Sequence, residues 1–483
     1  MATSTSEFIT QCEQEELHLT GAIQPHGAVF VLDHDYQVTH VSVNMAAVWR
    51  GDARSYLGRQ IPPQMRGLLK QYTGERIYFA AELERENDYL DVIFSPVPGG
   101  GIVVELMPTQ RERRIPSAMS RFPDAIHSHD EMRDYQQLLI SYIAEVTKAT
   151  RVMYYEFLGT GDGEVTAEAK HERANGSYLQ LRFPASDIPQ IARHLYLQNP
   201  WRAIYDTQAT AVPLVSAEDL PVPDLTHAEL RSVSPVHLHY LCNMKVSASV
   251  SWPIAGKNEL LALIALHHDE PRAFDYSILS HISELVKDYN FALRDFRTQQ
   301  RIEMHERMQH QFNYFHQQLI NREDYELYWQ EMSEWLMQEF ACDGVMISTP
   351  RQILKAGLEI EPETREVIIE HLAQEGEMSW FSDNLLKDLP QIDLTAIAGV
   401  AVLTNVLAPD HEVEFFALRQ AHMHEVMWGG RPDKPEESYD PDVPISPRRS
   451  FEKWIETRYS NSKPWDRNTR IKLMKLRLLL NEI

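Results

Sequence analysis

Val246-Ser247-Ala248-Ser249-Val250-Ser251-Trp252-Pro253-Ile254 alternates apolar and small polar residues from Val246 to Trp252. Successive side chains of an extended strand point to opposite faces. Val246, Ala248, Val250 and Trp252 therefore share one face, and Ser247, Ser249 and Ser251 the other. The turn Ala255-Gly256-Lys257-Asn258 and the apolar run Leu260 to His268 follow, which makes the stretch one arm of an antiparallel hairpin. Upstream, Arg151 to Phe157 and Glu164 to Lys170 flank the turn Gly159-Thr160-Gly161-Asp162-Gly163, and a helical pattern at Tyr135 to Val146 precedes them. The segment reads as an α+β domain, an antiparallel sheet wrapped by helices.

Working outward, a smaller α+β segment lies before it. Val29 to Leu32, Val38 to Val43, Tyr89 to Phe94 and Ile102 to Leu106 read as strands, the last two joined across Pro96-Val97-Pro98-Gly99-Gly100-Gly101. Arg111 to Pro123 reads as a connector. On the other side, Arg272 to Asp343 contains neither Pro nor Gly and is rich in helix formers, which predicts a long helix leading to a third segment. There Gly344-Val345-Met346-Ile347 echoes Arg151-Val152-Met153-Tyr154, and Val400 to Leu407 with Val413 to Arg419 echoes the closing hairpin. An insertion from about Ala421 to Trp465 breaks the echo. It carries Trp428-Gly429-Gly430, five prolines between Pro432 and Pro447, and Arg448-Arg449-Ser450-Phe451. The chain ends with Leu473, Leu476, Leu480 and Ile483, whose spacing predicts a coiled-coil seam running toward a partner or effector.

The 483 residues suffice for three domains. With 46 basic and 70 acidic residues, formally −24, the balance argues against a nucleic-acid or anionic-membrane partner. Three cysteines, Cys12, Cys242 and Cys342, make neither a disulfide framework nor a metal quartet, and no secretory leader or membrane span is legible; a cytoplasmic protein is expected. No phosphate-cradling glycine loop, kinase box or metal-binding His-Glu-x-x-His spacing occurs, so neither catalysis nor a metal is expected.

Several hydrogen-bonding groups converge on the second segment. The Ser247, Ser249 and Ser251 face suits either solvent or a buried polar ligand, and His267 and His268 end the next strand. Pro184-Ala185-Ser186-Asp187-Ile188-Pro189 holds an acid between two prolines, which stiffen the loop that presents it. Arg202 and Arg231 offer guanidinium forks suited to a carboxylate, although a lone arginine is more often a surface ion pair.

Taken in order, the Cys12 to Gly27 segment, the Pro184 to Pro189 loop, Arg231-Ser232-Val233-Ser234-Pro235-Val236-His237, His267-His268, Trp428-Gly429-Gly430 and Pro447-Arg448-Arg449-Ser450-Phe451 resemble phytochromes, in particular the PAS-GAF-PHY photosensory module of bacterial members. The resemblance implies a PAS domain with an N-terminal attachment segment at 1–110, a bilin-binding GAF domain at 125–300 and a GAF-like PHY domain at 301–483. Within the last it implies a tongue at about 421–465 and a signalling helix at about 466–483. It also implies a red/far-red photoreceptor carrying a linear tetrapyrrole.

Plant and cyanobacterial members place the attachment cysteine directly before the histidine matching His237, where this chain has Val236. Cys12 matches the N-terminal cysteine of members that bind biliverdin, so biliverdin IXα joined as a thioether to Cys12 is expected. Cys242 reads as a small packing residue. By resemblance, Asp187, with Ile188 beside it, presents its carbonyl to the pyrrole N–H groups and His237 shares a water with them. Arg202, Arg231 and Tyr196 bind one propionate, Ser249 and Ser251 the other. His267 holds the D-ring carbonyl, with Tyr155 and Tyr240 around that ring. Arg448 pairs with Asp187 in the dark state, and Ser450 replaces it after photoconversion as the tongue refolds. A homodimer through the long helices and a C-terminal effector, such as a histidine kinase or diguanylate cyclase, complete the expectation. The rival reading is a GAF-type sensor of a diffusible ligand, a cyclic nucleotide or haem, which needs neither Cys12 nor a tongue.

Overall fold

The computed structural model describes residues 15–85, 88–109, 122–216, 220–321, 325–349, 352–392, 396–406, 412–430, 432, 451–458, 461–466 and 468–480. Cys12, Arg448, Ser450 and Ile483 lie outside the described residues. The chain divides into two compact units, Met1–Phe296 with Met427–Trp454, and Arg297–Val426 with Ile455–Ile483.

The first unit holds two sheets. One combines β1 (Ala22–Ile23), β2 (Ala28–Leu32), β3 (Val38–Ser42), β4 (Ile77–Arg85), β5 (Asp88–Pro96) and β6 (Ile102–Thr109) with the short helices α1 (Met45–Val48) and α2 (Pro63–Leu69) beside them. The other is built on β7 (Arg151–Phe157), β8 (Gly163–Lys170), β9 (Arg182–Phe183), β10 (Arg202–Ile204), β12 (Ala248–Ala255) and β13 (Leu260–His268), with β11 (Val212–Ser216) lying between β10 and β12 in the chain. Helices α3 (His129–Thr147), α4 (Gln190–Gln198), α5 (Pro235–Asn243) and the start of α6 (Tyr276–Asn321) accompany it.

Sequence reading did not foresee where β11 goes. It leaves the second sheet and inserts into the first, whose order is β1-β11-β3-β2-β6-β5-β4. Ala22 and Ile23 pair with Pro213 and Val212 on one side, while Gln24 N donates to Leu230 O at 2.7 Å and Ser232 N to Ala22 O at 3.1 Å on the other. The N-terminal segment is thus clasped between two stretches of the following domain, and Ile23 is fully buried. Next to the clasp, a Cβ on Gly27 would stand 2.6 Å from both Leu106 O and Leu230 Cδ1. Gly27→Ala is expected to cost about 1–3 kcal/mol through this overpacking, read as a lower denaturation midpoint; an unchanged midpoint would show that the clasp opens freely.

The quoted strand behaves as its alternation predicts. Ala248, Val250, Trp252 and Ile254 are fully buried among Val152, Tyr154, Ile264 and Leu266, with Ile143, Leu279 and Tyr289 from α3 and α6 in the same core. The serine face looks the other way.

The second unit contains α7 (Tyr325–Phe340), β14 (Gly344–Ser348), β15 (Ile353–Gly357), α8 (Pro362–Glu375), β16 (Ser379–Ser382), α9 (Leu385–Asp388), β17 (Ile397–Val406), β18 (Glu412–Gln420) and α10 (Thr469–Leu480). Its strand order, β15-β14-β18-β17-β16, reproduces β8-β7-β13-β12-β10 of the first unit strand for strand. The echo between Gly344-Val345-Met346-Ile347 and Arg151-Val152-Met153-Tyr154 is therefore a repeat of topology: in each case the first strand of the domain pairs with its last.

The C-terminal seam requires a correction. Leu473, Leu476 and Leu480 are buried in the unit's own core with Phe312, Phe315, Leu336 and Phe340. Lys475 Nζ, on the same helix, donates to Gln309 Oε1 at 2.7 Å and lies 2.9 Å from His305 Nε2. The spacing of leucines specifies one apolar stripe on a helix and says nothing about what covers it. Here α6 and α7 do.

The insertion also folds back. β19 (His424–Gly429) and β20 (Lys453–Arg458) extend the second sheet of the first unit, which runs β10-β12-β13-β7-β8-β9-β19-β20. Trp428 pairs with Arg182 in parallel and is buried, and Gly430 N donates to Glu452 O at 2.8 Å.

Candidate functional site

Cross-strand register builds the pocket floor. Neighbours directly opposite in a sheet share a face, and one row runs Arg202, Ser251, Ala265, Met153, the next Ile204, Ser249, His267, Arg151, and a third joins Leu263 to Tyr155. Most of these side chains line a single cavity. Asp187, Ile188 and Tyr196 close it from the 184–189 loop and α4, His237 and Tyr240 from α5, and Arg231 to Ser234 from the clasp. Glu15 and Leu17 of the N-terminal segment complete the wall. Each described residue that the resemblance expects at the chromophore, from Tyr155 to His267, lines this cavity.

At one end the cavity is cationic. Arg202 donates to the carbonyls of Glu229 (3.2 Å), Arg231 (2.6 Å) and Ser232 (3.0 Å), and Arg231 Nη1 donates to Leu17 O at 3.2 Å. Arg231 Nε is buried with no hydrogen-bond partner among the described residues. Burial, and then the neighbouring Arg202, push Arg231 down to about 9. Two guanidinium groups held together, Arg231 buried and Arg202 half-buried, leave a place for an anion. Tyr196, hydrogen-bonded to Ser251, stands beside them; burial raises its hydroxyl.

The rest of the cavity carries imidazoles, aromatic rings and the Asp187 side chain. Burial, followed by Arg202, lowers His237 to about 4, and burial, followed by Arg151 and His237, lowers His267 to about 3. Both imidazoles are therefore uncharged at neutral pH and each offers one donor and one acceptor. Tyr240 OH donates to Asp187 Oδ2 at 3.0 Å, and Phe451 meets the Tyr240 ring edge-on at 5.0 Å. Met427 and Phe451 pack with Tyr155, Phe157 and Phe183, so the insertion reaches this part of the pocket.

Sequence reasoning missed the residues that hold the others in place. Buried Arg193 donates to Ile188 O (2.8 Å) and Gly161 O (2.7 Å), pinning the Asp187 loop. Glu105 of β6 accepts from the backbone of Glu229 (3.0 Å) and Leu230 (2.7 Å), fixing the stretch that positions Arg202. Glu229 itself accepts from Arg76, Trp201 and Tyr205. His26 is packed 3.3 Å from the Tyr205 ring, and burial lowers it to about 3. Only Arg193 has a local signal, a helix cation after a proline-bounded loop; the acids act across separations of 24 to 153 residues. Ser247 is half-buried and bonds Asp269 O instead of facing the cavity, because the strand begins only at Ala248. Cys242 lies outside the cavity, its Sγ 3.8 Å from Thr207 O.

Comparison with known proteins agrees with this geometry. Models of a PAS fold, a GAF domain and the phytochrome region match residues 12–89, 131–291 and 308–483 in that order. A bacteriophytochrome of Pseudomonas aeruginosa is 29% identical across 100% of this chain and 68% of its own length. Cyanobacterial phytochrome A of Nostoc is 28% identical across 95% of this chain and 62% of its own. The chain thus spans about two thirds of these relatives. The photosensory core module of the Stigmatella aurantiaca phytochrome superposes with a TM-score of 0.81 at 26% identity, covering 98% of this chain and 97% of that one. A bacteriophytochrome from R. palustris shares the fold with the same TM-score at 23% identity, covering 98% of each chain. Three domain matches in the order of the fold, and relatives that align along nearly the entire chain, make this chain a PAS-GAF-PHY photosensory module of the phytochrome family.

Proposed function

We propose that the chain is a red/far-red photoreceptor that binds biliverdin covalently through Cys12 and passes the light signal to a C-terminal effector. The observation that carries the reading is the pairing of buried Arg231, its Nε unpartnered among the described residues, with half-buried Arg202 in a cavity that also presents His237 and His267, both held neutral by burial. A bilin has propionates for the arginines and pyrrole N–H and carbonyl groups for the histidines, so the residues present fit it. When bound, it supplies light absorption and isomerisation of the bridge between its C and D rings.

The chain's own residues do the rest. Arg202, Arg231 and Tyr196 hold one propionate, and the hydroxyls of Ser249 and Ser251 the other. The Asp187 carbonyl, with Ile188 beside it, accepts from the pyrrole nitrogens, His237 reaches them through a shared water, and together these acceptors favour the protonated form, while His267 holds the D-ring carbonyl with Tyr155 and Tyr240 packed around that ring. Arg448 is the proposed dark-state partner of Asp187, with Ser450 taking its place after light. Phe451, three residues beyond Arg448, packs on the tyrosine that bonds Asp187, which supports this reach. Exposed Phe291 on α6 and Leu138 on α3 support a homodimer through the helices. No helix among the described residues is long and apolar enough to cross a membrane, in keeping with a proposed cytoplasmic location.

Mixing the chain with biliverdin is expected to give red absorbance that survives denaturation and a zinc-fluorescent band. Cys12→Ala is expected to keep the absorbance of the folded protein and lose that band. Affinity for haem or a cyclic nucleotide without a bilin spectrum would favour the rival sensor.

A further inference from the structure

The N-terminal segment is fastened at the pocket by a side chain the family reading gives no role. Residues 15–19 form a turn, with Leu17 N donating to Glu15 O and Leu19 N to Glu16 O, each at 2.9 Å. Three bonds tie this turn to the clasp: Ser234 Oγ to Glu15 Oε2 at 2.9 Å, Arg231 Nη1 to Leu17 O at 3.2 Å, and Leu225 N to His18 O at 2.9 Å. The first is the only one of the three made by two side chains, and its N-terminal partner, Glu15, is the nearest of them to Cys12 in sequence. Ser234 sits at the N-cap of α5, where a serine normally accepts from its own helix; here it makes no such cap bond. It reaches across to Glu15 instead.

We infer that Glu15 is a positioning residue for thioether formation, acting through Ser234 to hold the Cys12 end of the chain at the pocket mouth. This rests on the biliverdin reading above. Cys12 is three residues from Glu15 in the sequence, so an anchor at Glu15 leaves a tether of only three residues. Holding a nucleophile in a restricted volume raises its effective concentration. The reaction needs no other reagent: the S–H adds across a vinyl group, an S–C bond forms, the C=C π bond breaks and the thiol proton ends on the adjacent carbon. A carboxylate near a thiol disfavours the thiolate. The contribution of Glu15 is therefore its position and not its charge.

That distinction fixes the test. Biliverdin is mixed with the full chain, uptake is followed by absorbance, and covalent product by zinc fluorescence of samples denatured at intervals. Because both side chains line the cavity, the readout is the attachment rate divided by the uptake rate of the same variant. Glu15→Ala and Ser234→Ala are each expected to lower that ratio about tenfold, the effect of losing one hydrogen bond to a charged group, and the double variant no further. Glu15→Gln, which still accepts from Ser234, is expected to attach at least as fast as the parent. An unchanged ratio in both alanine variants, additive losses, attachment that slows only as much as uptake does, or a Gln variant with the ratio of Ala would each overturn the inference. In the empty chain, hydrogen exchange of the Leu225 amide is expected to rise about tenfold in the alanine variants, and unchanged protection overturns the latch even without ligand. A parent chain that takes up no biliverdin is a separate result, which sinks the photoreceptor reading.

Discussion

Arg151→Ala is expected to lower the unfolding free energy of the pocket-bearing unit by about 3–5 kcal/mol. Arg151 Nη1 lies 2.6 Å from Glu168 Oε1, with side-chain exposures of 6% and 4%, so truncation strands a buried carboxylate. Arg151 Nη2 also donates to Asn175 O at 2.6 Å, and the guanidinium stacks 3.9 Å over Tyr178. Two contacts of Glu168 survive, from Ser177 Oγ and Tyr178 N, and these keep the cost below that of a bare buried charge. Removing both charges together, as Arg151→Met with Glu168→Leu, is expected to recover part of the loss. Denaturant unfolding followed by tryptophan fluorescence measures this, since Trp201 and Trp252 are buried in the same unit. A cost under about 1 kcal/mol would mean that the pair is solvated and worth only what surface pairs are. The same variant removes a positive neighbour of His267, so the pKa of that imidazole is expected to rise.

Acid is expected to destabilise the empty chain well above the range of ordinary carboxylate titration. His26 and His267 are lowered to about 3 and His237 to about 4, so all three remain neutral in the fold where an unfolded imidazole, near 6.5, takes up a proton. Below 6.5 the unfolded state binds more protons, and stability falls with pH by about 1.4 kcal/mol per unit for each such histidine until its folded value is reached. His40 and His268, lowered mainly by burial, act in the same direction. Glu105 opposes them: burial pushes it up to about 7, so between 7 and 4.5 it is the folded state that holds the extra proton. The three histidines less this one acid leave a net fall of about 2–3 kcal/mol per pH unit between 6.5 and 4.5, an upper figure because His26 and His237 keep some solvent exposure. Unfolding free energy measured from pH 7 to 5 checks this. A His267→Gln variant should lose about one histidine's share of the slope; a flat profile in the parent would show that the pocket histidines are hydrated.

The strands carrying the pocket floor were legible because period-two alternation and glycine turns are local. Arg151 to Phe157 and Leu260 to His268 begin and end in the structure where the sequence places them. Ile77–Arg85 was not read as a strand. Its pairing with β5 is interrupted by a register shift between Phe79 and Leu83, and Ala81 has φ 49, which blurs the alternation. The 3-4-3 leucines gave the helix but not its cover.

The sequence by itself determined the ordered set of motifs, hence the family, and the chemical types that meet in the pocket: two arginines, two serines, two histidines and one acid. Only the tertiary structure decided what joins them. β11 crossing into the first sheet, the N-terminal segment clasped between 212–213 and 230–232, Glu105 holding the backbone of 229–230, and the insertion returning to pack on Tyr240 are all contacts between residues far apart in the chain. Such pairings arise because buried backbone and charged groups must find partners wherever the fold brings them. No local pattern records which partner that will be.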